Sequence, residues 1–261
     1  MQTALTIAGS DPTGGAGLQA DLQVFHRFKI HGCGVVTALT VQDTSGVRQV
    51  LPVFPSVVLD QLRVLLADLP PSAVKIGMLA SDDVLRNVVL GLATLPETTP
   101  LVIDPVLRAS DGSFLLEKRA WSGLCEFLSR ASLVTPNLEE AAELTGTDVS
   151  SEAGCEAAAR VFITEMGAGA ALLTGGHRDG APDDLLAIRG DNGPLFRWLR
   201  ADRIESAPAH GTGCALSAAI TAALAAGRSL EEATLEAQAF VQSALRRAQP
   251  LGGGARLLDF S

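Results

Sequence analysis

The feature that most constrains this chain is a rhythm. Short, continuously apolar runs rich in β-branched residues, at 4–8, 34–41, 74–78, 101–106, 132–135 and 170–174, alternate with longer segments of helical spacing. Runs that are apolar throughout, rather than at every second position, belong to strands buried on both faces. The segments between them, 16–28, 55–66, 82–93, 117–128, 138–144 and 152–166, repeat apolar residues at helical intervals. Strand followed by helix, repeated, predicts a three-layer α/β/α sandwich with a mostly parallel central sheet. The rhythm breaks at 184–189 and 194–200, which flank the turn-forming Asp191-Asn192-Gly193 and predict an antiparallel edge. Two helices follow at 215–226 and 230–247, the second opened by Ser229 with Glu232 three residues on, the spacing of a capping box. With no long linker or repeat, residues 1–261 read as one domain.

Charge narrows the partners. A net charge of −9 with no run of Lys or Arg speaks against nucleic acid and against an anionic membrane surface, both of which need clustered cations, and favours a small molecule. The longest apolar stretch, 214–226, is interrupted by Ser217 and Thr221 and falls well short of the roughly 20 residues that span a bilayer. Cys33, Cys125, Cys155 and Cys214 lie far apart with no metal-ligand spacing and are expected to be reduced thiols. Met1 runs directly into an apolar strand with no leader-like order of regions, so a cytoplasmic protein is expected.

Two glycine-rich segments carry chemistry. In His210-Gly211-Thr212-Gly213-Cys214 the glycines stand just before an Ala-rich helix, where bare backbone N–H groups and a partial positive charge suit a phosphate; an ordinary tight turn is the competing reading. Cys214 at a helix start would have a lowered pKa and serve as base or nucleophile, whereas in a helix body it would be a small buried hydrophobe. The other segment, Gly9-Ser10-Asp11-Pro12-Thr13-Gly14-Gly15-Ala16-Gly17, leaves a strand and enters a helix, but lacks the G-x-G-x-x-G spacing of a dinucleotide turn. A P-loop G-x-x-x-x-G-K-[ST] is absent from the chain.

Taken together, Ala8-Gly9-Ser10-Asp11 through Gly14-Gly15-Ala16-Gly17-Leu18-Gln19-Ala20-Asp21 and His210-Gly211-Thr212-Gly213-Cys214 resemble the hydroxymethylpyrimidine/phosphomethylpyrimidine kinases of the ribokinase superfamily. The resemblance continues through Thr37–Thr44, Lys75-Ile76-Gly77-Met78-Leu79, Asp104-Pro105-Val106, Thr135-Pro136-Asn137 and Gly175-Gly176-His177, nearly the whole chain. It implies a ribokinase-like fold, ATP and Mg²⁺ as cofactors, a pyrimidine alcohol or its monophosphate as substrate, and a homodimer. It also implies site residues. Cys214 would be the catalytic base, with Gly211 and Gly213 in an anion hole beside Thr212. Gln42 would read the ring, with Gly9, Asp21, Met78 and Val106 around it. Asn137, Thr174 and Gly176 would lie along the nucleotide phosphates, and Glu140 and Asp104 near the metal.

Each residue also has a plainer reading. Gln42 could be a satisfied strand-end amide, Asp21 a helix-dipole charge, Met78 and Val106 sheet core, and Asn137 with Glu140 an N-cap pair. The chain departs from the family where a lysine is usual, carrying Ser110 and Thr174 instead, with Arg108 as a candidate substitute, and its C-terminal signature is reduced to Gly252-Gly253-Gly254-Ala255. These losses keep a pyridoxal or pyridoxine kinase and a non-catalytic pyrimidine sensor open as alternatives. A nicotinamide-dependent oxidoreductase rests only on the glycines at 14–17.

Overall fold

The structure is a computed structural model that describes residues 1–109, 111–176, 182–204 and 209–261. Along the chain come β1 (Thr3–Ser10), α1 (Gly17–Arg27), β2 (His31–Asp43), β3 (Gly46–Pro52), α2 (Pro55–Asp68), β4 (Ala73–Ile76), α3 (Asp82–Leu92), β5 (Leu101–Ile103), α4 (Trp121–Phe127) and β6 (Leu133–Val134). There follow α5 (Leu138–Thr145), α6 (Glu152–Thr164), β7 (Ala170–Leu173), β8 (Asp184–Ile188), β9 (Leu195–Leu199), β10 (Ala209–His210), α7 (Thr212–Ala225), α8 (Leu230–Arg246) and β11 (Arg256–Leu257). Nine strands form one sheet in the order β3-β2-β1-β4-β5-β6-β7-β8-β9. From β2 to β7 neighbours run parallel, and both edges are antiparallel, β2 with β3 and β7 with β8 and β9.

The period-two alternation of strand side chains divides the core into two layers. Leu5, Ile7, Val74, Ile76, Leu101 and Ile103 pack against α2 to α6, with Leu62, Val88, Leu124 and Phe162 among their partners. Their sheet neighbours Ala4, Ala73, Val102 and Leu172 face α1, α7 and α8. This second face is lined by small residues because α7 is buried on almost every side and its alanines press close to the strands. Two polar side chains interrupt it, Thr6 and Lys75, which lie opposite each other in the β1–β4 register.

The sandwich and the β8–β9 edge stand where the sequence puts them. Three differences matter. Strand β3 was missed, because in Gly46–Pro52 the apolar Val47, Val50 and Leu51 are broken up by Arg48 and Gln49, with neither a continuous apolar run nor a strict alternation, and the strand pairs only at the sheet margin. The 117–128 segment is a shorter helix, Trp121–Phe127, flanked by tighter turns. Helix α7 begins three residues before the expected 215, since Gly211 takes the left-handed conformation, φ +82°, and turns the chain into a helix already at Thr212.

Candidate active site

Strand order reverses direction at β1: the chain steps to β2 on one side and returns at β4 on the other. In parallel α/β sheets such a switch point opens a crevice at the carboxyl ends of the strands. A cavity of about 690 Å³ lies there, lined by Gly9 at the end of β1 and Asp11 after it, Met78 after β4, Asp104 and Val106 after β5, Asn137 after β6, and Thr174 and Gly176 after β7. Its remaining walls come from Gln42 on β2, Glu140 of α5, the 211–214 turn, and Gln238 and Val241 of α8.

The two glycine segments meet in this cavity. A Cβ on Gly211 would run into the Gly15 carbonyl oxygen, and one on Gly17 into the Gly9 carbonyl oxygen, so both glycines are required by contact as well as by positive φ. Asp11 ties the first turn together: its carboxylate accepts from the Thr13 N–H at 2.8 Å, the Ala16 N–H at 2.9 Å and His210 Nε2 at 2.9 Å. Because α7 starts at Thr212, residues Thr212, Gly213 and Cys214 form its first turn, whose N–H groups have no carbonyl of the same helix to bond. They are available for an anion, on the cavity wall.

Cys214 stands at that helix start, but its thiol does not behave as the sequence implied. Burial pushes it up to about 11, and the neighbouring Lys75 ammonium and Gly17 N–H offset only part of this. The expected lowered pKa is therefore corrected: the helix terminus is present, and desolvation outweighs it.

Asp21 is also relocated. It faces neither the cavity nor the first turn of α1, but lies fully buried, accepting from the Thr6 hydroxyl and from Lys75 Nζ, each at 2.5 Å. Burial pushes the Asp21 carboxyl up, against the pull of Lys75. At Lys75 the charges of Asp21, Cys214 and Asp104 outweigh burial, so the ammonium is held above its ordinary range. With donors on both oxygens, Asp21 acts as the carboxylate and Lys75 carries the proton. Lys75 is a cavity-lining residue that sequence reasoning left without a role, although one lysine inside the apolar run 74–78 already demanded a buried partner.

For Asn137 and Glu140 the plainer reading, an N-cap pair, is present. They form a reciprocal capping box on α5 and also line the cavity. Glu140 accepts the Leu107 N–H with its other oxygen. Asp104 accepts from the Ser217 hydroxyl at 3.0 Å. Burial first, and then each other's charge in the case of Glu140, raises both carboxyls above their ordinary range, partly offset at Asp104 by Lys75. Two buried acids facing one cavity suit a divalent cation that keeps most of its waters, since such an ion would favour their charged forms. Among the described residues no group of three or more His, Cys, Asp or Glu is placed to cage a metal.

Gly9, Gln42, Met78 and Val106 line the same cavity, and Gly9 leaves room for the Met78 sulfur, which would stand 2.8 Å from a Cβ there. Arg108 lines it too, held by Glu143 at 2.9 Å and lying over the Phe114 ring at 3.8 Å. Ser110 and His177 lie outside the described residues. Besides Lys75, sequence reasoning missed His210 as a partner of Asp11, and Asp184, whose carboxyl, pushed up to about 6 by burial, binds the Gly175 N–H and Gln238. His210 was legible as part of H-G-T-G-C; Asp184 carried no local signal.

A family model described as phosphomethylpyrimidine kinase matches residues 11–259. The hydroxymethylpyrimidine/phosphomethylpyrimidine kinase of Staphylococcus aureus (strain MRSA252) is 39% identical over 255 residues, covering 96% of this chain and 90% of that protein. The protein of the same name from Rhizobium meliloti (strain 1021) is 42% identical over 249 residues, covering 95% and 92%. Among solved structures, an ADP complex of Bacillus subtilis pyridoxal kinase superposes with a TM-score of 0.90 at 31% identity, covering 100% of this chain and 98% of that one. Phosphomethylpyrimidine kinase from Clostridium difficile 630 gives 0.82 at 33%, covering 94% and 99%. The fold is ribokinase-like. The match to the family model runs almost from end to end and meets the cavity's own geometry, and the chain belongs to the phosphomethylpyrimidine kinase family.

Proposed function

We propose that this kinase uses Mg·ATP to phosphorylate 4-amino-5-hydroxymethyl-2-methylpyrimidine, its monophosphate, or both in sequence. The observation that carries the reading is that Gln42, Met78 and Val106, suited to an aromatic heterocycle with polar edges, share one cavity with the exposed helix start at Gly211–Cys214. Residues 1–261 act as one kinase domain, a reading supported by the single nine-stranded sheet.

In the reaction the hydroxymethyl oxygen bonds to the γ-phosphorus as the bond to ADP breaks, and the hydroxyl proton leaves. The N–H groups of residues 212–214 hold the equatorial phosphoryl oxygens, where charge spreads in a loose transition state. Cys214 accepts the proton. With the thiol near 11, the thiolate fraction at neutral pH is on the order of one part in 10,000. Proton removal in a loose transfer can come late, so a scarce base positioned beside the hydroxyl still serves. The Lys75 charge favours the thiolate. Magnesium, when bound, would neutralise phosphate charge, and Asp104 and Glu140 are the residues that would hold its waters. Thr174, Gly176 and Asn137 would lie along the nucleotide phosphates, and Gln238 and Val241 along the base.

The test is ADP release with Mg·ATP and, in parallel, hydroxymethylpyrimidine, its monophosphate and pyridoxal, with products identified by mass. Pyrimidine diphosphate as product is the expected result. Turnover of pyridoxal alone would move the substrate to the second reading. Binding without turnover of any of the three would leave a sensor. Kinase family membership leaves the nicotinamide reading without support.

A homodimer is part of the proposal. Leu39, Val41 and Leu51 on the β2–β3 hairpin, with Phe54 and Val57 beyond it, are exposed apolar side chains on one edge of the sheet. Light scattering should give twice the chain mass, falling to one chain in Leu39→Glu. No described helix is long and apolar enough to cross a membrane, and dependence on ATP supports a cytoplasmic location.

A further inference from the structure

Three residues far apart in sequence converge on one wall of the cavity: Asp11 from the turn after β1, Gln42 from the hairpin, and His210 from the strand before α7. Gln42 Nε2 lies 3.5 Å from His210 Nε2, and the same imidazole nitrogen lies 2.9 Å from Asp11 Oδ2. Asp11 is almost wholly buried, at 3% exposure. Burial raises its pKa, but the hydrogen bonds from His210 and Thr13 more than reverse that and leave the carboxyl below its ordinary range, so it is ionised. An ionised carboxylate only accepts, and the short approach therefore requires a proton on His210 Nε2; a bare lone pair there would set acceptor against acceptor.

The proton on Nε2 has a consequence for Gln42. An amide NH₂ cannot donate to a nitrogen that is itself a donor, so the contact as it stands opposes two N–H groups. The two ends of a glutamine amide exchange places by a half-turn about its last bond. The half-turn that brings Oε1 to His210 removes the opposition and aims the NH₂ into the cavity. The reverse arrangement, with His210 accepting from Gln42, would surrender the charge-assisted bond to Asp11, the stronger of the two.

We propose that Asp11 and His210 are positioning residues that fix the Gln42 amide with its carbonyl toward the imidazole and its NH₂ toward the substrate, so that the site selects a heterocycle presenting a bare ring nitrogen at Gln42. The inference rests on the reading of Gln42 as the residue that reads the ring. It divides the two candidate substrate edges: the ring nitrogen is the primary contact, and the exocyclic amine meets Gln42 only through whatever acceptor capacity His210 leaves.

The test compares hydroxymethylpyrimidine with its carbocyclic counterpart 2-amino-4-methylbenzyl alcohol, in which CH replaces both ring nitrogens, in wild type, Gln42→Ala, His210→Phe and the double variant. Wild type should prefer the pyrimidine in kcat/KM by at least about tenfold. His210→Phe should lose most of that preference through KM for the pyrimidine, with KM for ATP unchanged, and the double variant should be no worse than Gln42→Ala alone. Additive losses, or a loss confined to kcat, would instead place His210 in the phosphate turn and overturn the inference. An unchanged pyrimidine KM in Gln42→Ala would remove Gln42 from ring reading and take this inference with it, whereas a raised one in Gln42→Ala alone would sink only the inference. Should His210→Phe not fold, a ¹⁵N imidazole spectrum of the wild type, assigned with His210→Asn, decides the matter: a proton on Nε2 is expected, and a bare Nε2 refutes it.

Discussion

Cys214 and Lys75 show how a buried site divides its charges. A thiol pushed up to about 11 is inert to mild alkylation at neutral pH, so iodoacetamide should modify Cys214 slowly near pH 7 and markedly faster near pH 10, followed by peptide mass spectrometry. Cys214→Ala should keep ATP affinity while the transfer rate falls by about 10²–10⁴-fold, the usual worth of a positioned base; an unchanged rate would remove Cys214 from catalysis. Lys75→Met leaves the Asp21 carboxylate buried with only the Thr6 hydroxyl, and should cost about 3–5 kcal/mol in urea unfolding. Adding Asp21→Asn to it should recover part of that loss, because the orphaned charge goes with the pair. A full additive loss would show that Asp21 and Lys75 stabilise the fold separately.

At the scale of elements, the site depends on how its turns are closed. The tip of the β2–β3 hairpin, which carries Gln42, is clasped on two sides. The Ala255 N–H donates to the Thr44 carbonyl at 2.8 Å and the Gly254 N–H to the Thr44 hydroxyl at 3.0 Å, while Asp111 accepts from the Val47 N–H at 2.8 Å. A Cβ at Gly254 would collide with the Thr44 backbone, which gives the shortened C-terminal glycine run a structural use. Gly254→Ala should therefore raise KM for the pyrimidine more than KM for ATP in steady-state kinetics. Equal KM values for both variant and wild type would mean that the clasp does not support Gln42. Helix α8 opens on a true capping box at Ser229 and Glu232, as its spacing indicates, and Ser229→Ala should cost about 1 kcal/mol of stability.

At the scale of the molecule, buried acids tie stability to pH. Asp184 has a folded-state pKa near 6 against an ordinary value of 3.8, so the folded state holds its proton more tightly than the unfolded state. Its contribution is full below about pH 4 and is lost as pH rises through about 6, a loss on the order of 3 kcal/mol from the size of the shift. Asp184→Asn should flatten the fall in melting temperature between those values relative to wild type; parallel curves for the two proteins would show that Asp184 titrates normally. The alternation of apolar strands and helices determined the sandwich and its β8–β9 edge, because burial on both faces leaves a periodic mark on each segment. The glycine turns and the Asn137–Glu140 cap were legible for a similar reason: their constraints are local, set by positive φ or by a spacing of three residues. Asp21 was misplaced, and Asp184 and the partnership of Asp11 with His210 were missed, because their partners lie far away in sequence and a carboxylate's role depends on what it meets. The raised thiol of Cys214 belongs with them: a helix start lowers a thiol's pKa and desolvation raises it, and only the tertiary structure, by packing protein around the half-buried residue, decided which of the two prevails.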